Sequence, residues 1–138
     1  MRVVSFNVNS VRVRLPHLEA VIDRHQPEII GLQETKVTDE DFPGEEIKDL
    51  GYHVQFHGQK THYGVALLSR QEPLHTTRGF HHDDDDSQRR FIECSFSLPD
   101  GRKLSVINCY CRQGSYREHT TKFPAKEKMY IDVLERIS

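Results

Sequence analysis

Two short apolar runs in this sequence each end on a polar oxygen. Ile29-Ile30-Gly31-Leu32-Gln33-Glu34-Thr35-Lys36 breaks off at the Glu34 carboxylate, and Val3-Val4-Ser5-Phe6-Asn7-Val8-Asn9 delivers the Asn7 amide in the same way. A carboxylate and an amide oxygen at the carboxyl ends of neighbouring strands suit a hard divalent cation, which shares its oxygen ligands with substrate phosphate. The crevice outside the strand ends is also where open α/β sheets bind ligands. Taken singly, Asn7 would cap a strand-to-helix turn and Glu34 would pair with Lys36 or an Arg on the surface. Taken together they read as a metal site for phosphate chemistry.

The elements that must bring them together follow from periodicity. Residues 2–8 read as a strand covered on both faces, being apolar and β-branched with little alternation. Leu18, Val21, Ile22 and His25 then recur at helical spacing, with Pro16 suited to a first turn and Gln26-Pro27 ending the helix. Residues 28–32 give the next strand, and such a βαβ unit sets its two strands parallel through a right-handed crossover. A modest helix is predicted over 40–50, with Gly51 as its cap, then strands over 52–56 and 63–69. Residues 71–88 read as loop, and 91–96 and 103–110 as a hairpin across Pro99-Asp100-Gly101. Tyr130, Val133, Leu134 and Ile137 mark a last helix beginning near Pro124.

Length and composition bound the rest. A chain of 138 residues is long enough to bury a core. With 36% hydrophobic and 29% charged residues it has the balance of a polar globular domain. No run of 18 apolar residues offers a membrane span, and the N-terminus lacks a signal-peptide plan, so the expected home is cytoplasmic. The net charge of −2 excludes a chain basic all over, but not a basic binding face. Cys94, Cys109 and Cys111 are too few for a disulfide framework, and two thiolates at i, i+2 fall short of a structural zinc site. They read as small strand residues near the core. The acidic run Asp83-Asp84-Asp85-Asp86 reads as a solvated loop.

Several strings in one order carry a family resemblance. Ser5-Phe6-Asn7-Val8-Asn9, Gly31-Leu32-Gln33-Glu34-Thr35-Lys36, His57-Gly58-Gln59-Lys60, Tyr63-Gly64-Val65-Ala66-Leu67-Leu68, Gln88-Arg89-Arg90, Val106-Ile107-Asn108-Cys109-Tyr110, Gln113-Gly114 and Lys122-Phe123-Pro124-Ala125-Lys126 resemble the exonuclease III family of AP endonucleases, within the endonuclease/exonuclease/phosphatase superfamily. The resemblance spans essentially the whole chain. It implies a DNase I-like two-sheet α/β sandwich that hydrolyses DNA phosphodiesters with Mg²⁺ or Mn²⁺. Its partner would be double-stranded DNA with abasic sites or 3′ ends. Asn7 and Glu34 match the active-site amide and metal-ligand carboxylate, and Tyr110 the active-site tyrosine. Gln59, Lys60, Arg89, Arg90 and Gln113 match positions on the DNA side, and Arg112 adds a charge on the same path. Lys and Arg there would neutralise backbone phosphates without reading sequence.

The sequence also departs from the family. It contains neither the Gly-Asp-x-Asn nor the Ser-Asp-His string that family members carry further along, so the chain reads as the N-terminal half of the domain. Each half is expected to supply one sheet. A lone half would then expose an apolar sheet face and self-associate, bind a complementing C-terminal half, or be marginally stable. Cys109-Tyr110-Cys111-Arg112 stands where the family commonly has Gly-Tyr-Phe-Pro, and losing that Pro frees the backbone beside Tyr110. Two other readings fit the same residues. One is a catalytically inactive DNA- or protein-binding relative using Lys60, Arg89 and Arg90. The other is a different phosphodiesterase or phosphatase of the superfamily, sharing Asn7 and Glu34.

Overall fold

A computed structural model describes residues 1–80, 83 and 88–111. The chain begins with β1 (Val3–Asn7), α1 (Leu15–His25) and β2 (Ile29–Gln33). The two strands pair in parallel from Val3 opposite Ile29 to Asn7 opposite Gln33, so the predicted βαβ unit is present. Pro16 sits in the first turn of α1, and Gln26 closes the helix in the left-handed conformation at φ 45°. The second helix, α2 (Gly44–Asp49), is shorter than predicted. Pro43 fixes its own φ and lacks an N–H, so the helix starts only after it. Gly51 follows at φ 93°, a backbone that a side chain would strain.

Four strands form a mixed sheet in the order β1-β2-β4-β3, where β3 is His53–His57 and β4 is Val65–Ser69. β4 runs antiparallel to both β2 and β3. Three more, β5 (His75–Arg78), β6 (Phe91–Ser97) and β7 (Lys103–Cys109), make an antiparallel sheet in chain order. β5 lies where loop was predicted. His75, Thr76, Thr77 and Arg78 carry no apolar alternation, and pairing with β6 holds them extended. The hairpin of β6 and β7 matches its prediction, with Gly101 at φ 86° in the turn. The helix expected from Pro124 lies outside the described residues.

Every residue of β2 and β4 is buried, because both faces of these central strands are covered. Ile30, Leu32, Ala66 and Leu68 point to the helices and meet Leu18, Ile22 and Ile47. Ile29, Val65 and Leu67 point the other way and meet Ile92, Cys94 and Phe96, with Leu104, Val106 and Tyr110 at the margin. The expectation of one sheet per half is therefore corrected, since both sheets form within residues 3–109. The β5–β7 meander folds back over β2 and β4 and covers their apolar face in cis. What stays open is a strip at the edge of the first sheet. Among the described residues β1 pairs with β2 alone, and Val3 is 58% exposed. Cys94 is buried in the inter-sheet core and Cys109 is half-buried at the end of β7, whereas Cys111 lies past the strand and is exposed, against the core role read for it.

Candidate functional site

The carboxyl ends of β1 and β2 lie side by side, and the chain is zipped together just beyond them. Val8 N donates to Gln33 O at 3.0 Å, Ser10 N to Glu34 O at 2.8 Å and Val11 N to Thr35 O at 3.0 Å. This brings Asn7 beside Glu34, one register step apart. Four residues here adopt left-handed backbone without being glycine: Asn9 at φ 44°, Ser10 at φ 87°, Glu34 at φ 54° and Lys36 at φ 57°. For a residue with a long side chain this conformation is strained, and such strain clusters at functional positions. Asn7 Oδ1 accepts from Asn9 N at 3.1 Å, so the amide does hold its own turn. Lys36, the surface partner open to Glu34, instead donates through Nζ to Asn9 Oδ1 at 2.5 Å.

The partner of Glu34 comes from the other sheet. Tyr110 follows β7 directly, and its hydroxyl donates to Glu34 Oε1 at 2.5 Å. That hydrogen bond to the carboxylate, more than the burial that adds to it, raises the tyrosine pKa above its ordinary 10.0. Tyr110 therefore holds its proton across the neutral range and meets the site as a neutral donor. Its ring is braced by Arg90, whose guanidinium lies 4.5 Å from the Tyr63 ring centre and 4.9 Å from that of Tyr110. Arg90 is only 9% exposed; its Nε donates to Gln88 Oε1 at 2.7 Å and its Nη1 to Tyr110 O at 3.3 Å. Arg90 thus sits inside the wall of the site, bracing Tyr110.

A second group lies along the loops that follow β3 and precede β6. Gln59 Oε1 accepts from Arg89 N at 2.9 Å, which ties the two predicted DNA-side segments together. Arg89 reaches Asp39 at 3.6 Å, while Asp39 also accepts from Gly58 N at 2.7 Å. Lys60 is exposed. Arg112 and Gln113 lie outside the described residues. The described His, Cys, Asp and Glu side chains form no cluster of three able to hold a metal ion. Glu34 with the Asn7 amide supplies two hard oxygen donors at one strand end, a fit to a cation that takes further ligands from water and phosphate.

Reading the sequence missed three residues that shape this site. Asn108 is 5% exposed and joins the sheets just below it, Tyr63 supplies the second face for Arg90, and Asp39 holds the loop of Gln59. An Asn following Val106 and Ile107 late in a strand, within a string already matched to the family, was the signal available for the first.

The sequence profile of the Endonuclease/Exonuclease/phosphatase family matches residues 4–135. The chain belongs to that family. It is 54% identical over 133 residues to exodeoxyribonuclease III of Haemophilus influenzae, covering 96% of this chain and 49% of that protein. Among solved structures, a 3′-5′ exonuclease from Neisseria meningitidis superposes with a TM-score of 0.84 at 34% identity, over 98% of this chain and 50% of that one. An AP endonuclease from Archaeoglobus fulgidus gives 0.79 at 32%, over 96% and 51%. The exonuclease III resemblance and the two-sheet α/β fold are thereby borne out, and the chain spans about half the length of these relatives. No described helix is long and apolar enough to cross a membrane.

Proposed function

We propose that this chain carries the metal- and tyrosine-bearing part of a DNA repair nuclease of exonuclease III type, hydrolysing phosphodiesters of duplex DNA at abasic sites and 3′ ends. The observation that carries the reading is the 2.5 Å hydrogen bond joining Tyr110 to Glu34 across the two sheets, beside Asn7 on the next strand. Glu34 and the Asn7 amide oxygen would hold Mg²⁺ or Mn²⁺. Such an ion, when bound, polarises a phosphoryl oxygen and offsets the charge on the leaving 3′ oxygen. Tyr110, kept neutral by its bond to Glu34, accepts from a water through its oxygen, or turns its single proton from Glu34 to an incoming phosphate oxygen. Arg90 fixes the ring from which that proton is offered. Lys60 and Arg89, with Gln59 between them, provide the outer face along which a DNA backbone is neutralised and aligned.

The test is incision of a labelled duplex carrying one abasic site, with Mg²⁺ and with EDTA, by the chain and by Glu34→Ala. Direct Mn²⁺ binding is measured on the same samples. Incision that needs the metal and disappears in Glu34→Ala supports the proposal. Binding of metal and duplex without incision favours a DNA-binding portion that does not cut by itself. A folded chain that binds neither Mn²⁺ nor duplex DNA refutes both.

A further inference from the structure

The end of β2 and the end of β7 belong to different sheets, so the gap between Glu34 and Tyr110 is set by how the sheets stack. Apolar packing alone fixes such a distance poorly, because side chains of similar size permit sliding. Arg78 of β5 joins the sheets at their exposed rim through Phe56 O and Gln55 Oε1 of β3, and a buried polar cluster sits in the layer directly below the site. Asn108 Nδ2 donates to Leu32 O at 2.9 Å and to Ala66 O at 2.8 Å, which are opposed residues of β2 and β4. Its Oδ1 accepts from Gln33 Nε2 at 2.6 Å, and the same nitrogen also donates to Ser5 Oγ at 3.1 Å. Asn108 of β7 thereby grips β2 and β4 directly, and reaches β1 through Gln33.

The first sheet is recessed to admit it. A Cβ on Gly31 would stand 3.1–3.3 Å from three atoms of the Asn108 amide, tighter than ordinary packing allows. Gln33 immediately precedes Glu34, and Asn108 stands two residues before Tyr110 on the same strand face. We infer that Asn108, seated in the gap left by Gly31 and held by Gln33, is a positioning residue that sets the stacking of the two sheets and so the Glu34–Tyr110 hydrogen bond. Buried polar groups with several directional partners favour one arrangement over its near neighbours, which apolar contacts do not. The inference rests on Glu34 and Tyr110 being the reacting pair, but its test reads geometry alone, so either can fail without the other.

The chain is labelled with ¹³C at tyrosine Cζ and observed by NMR at pH 7. The Tyr110 resonance is assigned by its loss in Tyr110→Phe, and its position without the bond is taken from Glu34→Ala, which leaves no acceptor there. In Asn108→Leu, which keeps the volume and removes the polar grip, the Tyr110 resonance is expected to move most of the way to the Glu34→Ala position. Gly31→Ala, which presses a methyl against the amide, should move it in the same direction and covers the case in which Asn108→Leu does not fold. Ile47→Ala, destabilising but on the far helical face, should leave it in place. A Tyr110 resonance unmoved in folded Asn108→Leu, or unmoved in Gly31→Ala, overturns the inference and leaves Asn108 a contributor to stability only.

Discussion

Replacing Glu34 with Gly should leave a more stable protein than replacing it with Ala. Both changes delete the carboxylate and its 2.5 Å bond from Tyr110, so that loss cancels between them. What differs is the backbone, which stands at φ 54°. An L-residue in the left-handed region costs about 1–2 kcal/mol that glycine escapes. Glycine's greater freedom in the unfolded chain takes back roughly 0.5–1 kcal/mol. The net advantage is about 1 kcal/mol, or about 3–4 °C in Tm for a domain of this size. Urea unfolding of the two variants, followed by circular dichroism with equal m-values required, measures it. An Ala variant as stable as the Gly variant would refute the idea that the site holds strain at Glu34.

Other outcomes follow from the core and its buried polar groups. Leu67, 1% exposed between the sheets, should cost about 2–5 kcal/mol when cut to Ala, read from the urea midpoint. Tyr52→Phe strands the Pro27 carbonyl that its hydroxyl meets at 2.5 Å, for a loss of about 1–2 kcal/mol in the same assay. His57 is held below its ordinary pKa of 6.5 by burial first and by Arg89 second. The unfolded chain therefore binds its proton more readily than the folded one, so stability rises with pH through this window. His57 contributes fully above 6.5 and loses that contribution as pH falls towards the lower folded value. His57→Gln should flatten this part of the stability–pH curve, and an unchanged slope would refute the assignment.

The βαβ unit, the β6–β7 hairpin and the pairing of Asn7 with Glu34 were legible because periodicity and turn chemistry are local. The stacking of the second sheet on the first was not. Leu67 and Ile92 carry no mark of which strand they will face, since any apolar strand face would accept them. β5 was hidden for the complementary reason, because its four residues are extended only by virtue of β6. At the site the sequence supplied Glu34 and Tyr110 separately, and their contact depends on Asn108 entering the gap at Gly31. Arg90 shows a further limit. Its charge suggested an outward role, whereas two tyrosine rings from separate segments enclose it.

The order in which the sandwich is assembled has a consequence for synthesis on the ribosome. Each strand from β1 to β7 finds its neighbours among residues already made or made soon after, and both cores close by residue 109. Chains emerge at about 5–20 residues per second, and early segments fold as later ones are still being added. The two-sheet unit can thus shield its apolar layers while translation continues. Among the described residues the outer edge of β1 has no neighbour when the rest has closed. Until it is covered, an edge of that kind is open to pairing with another chain.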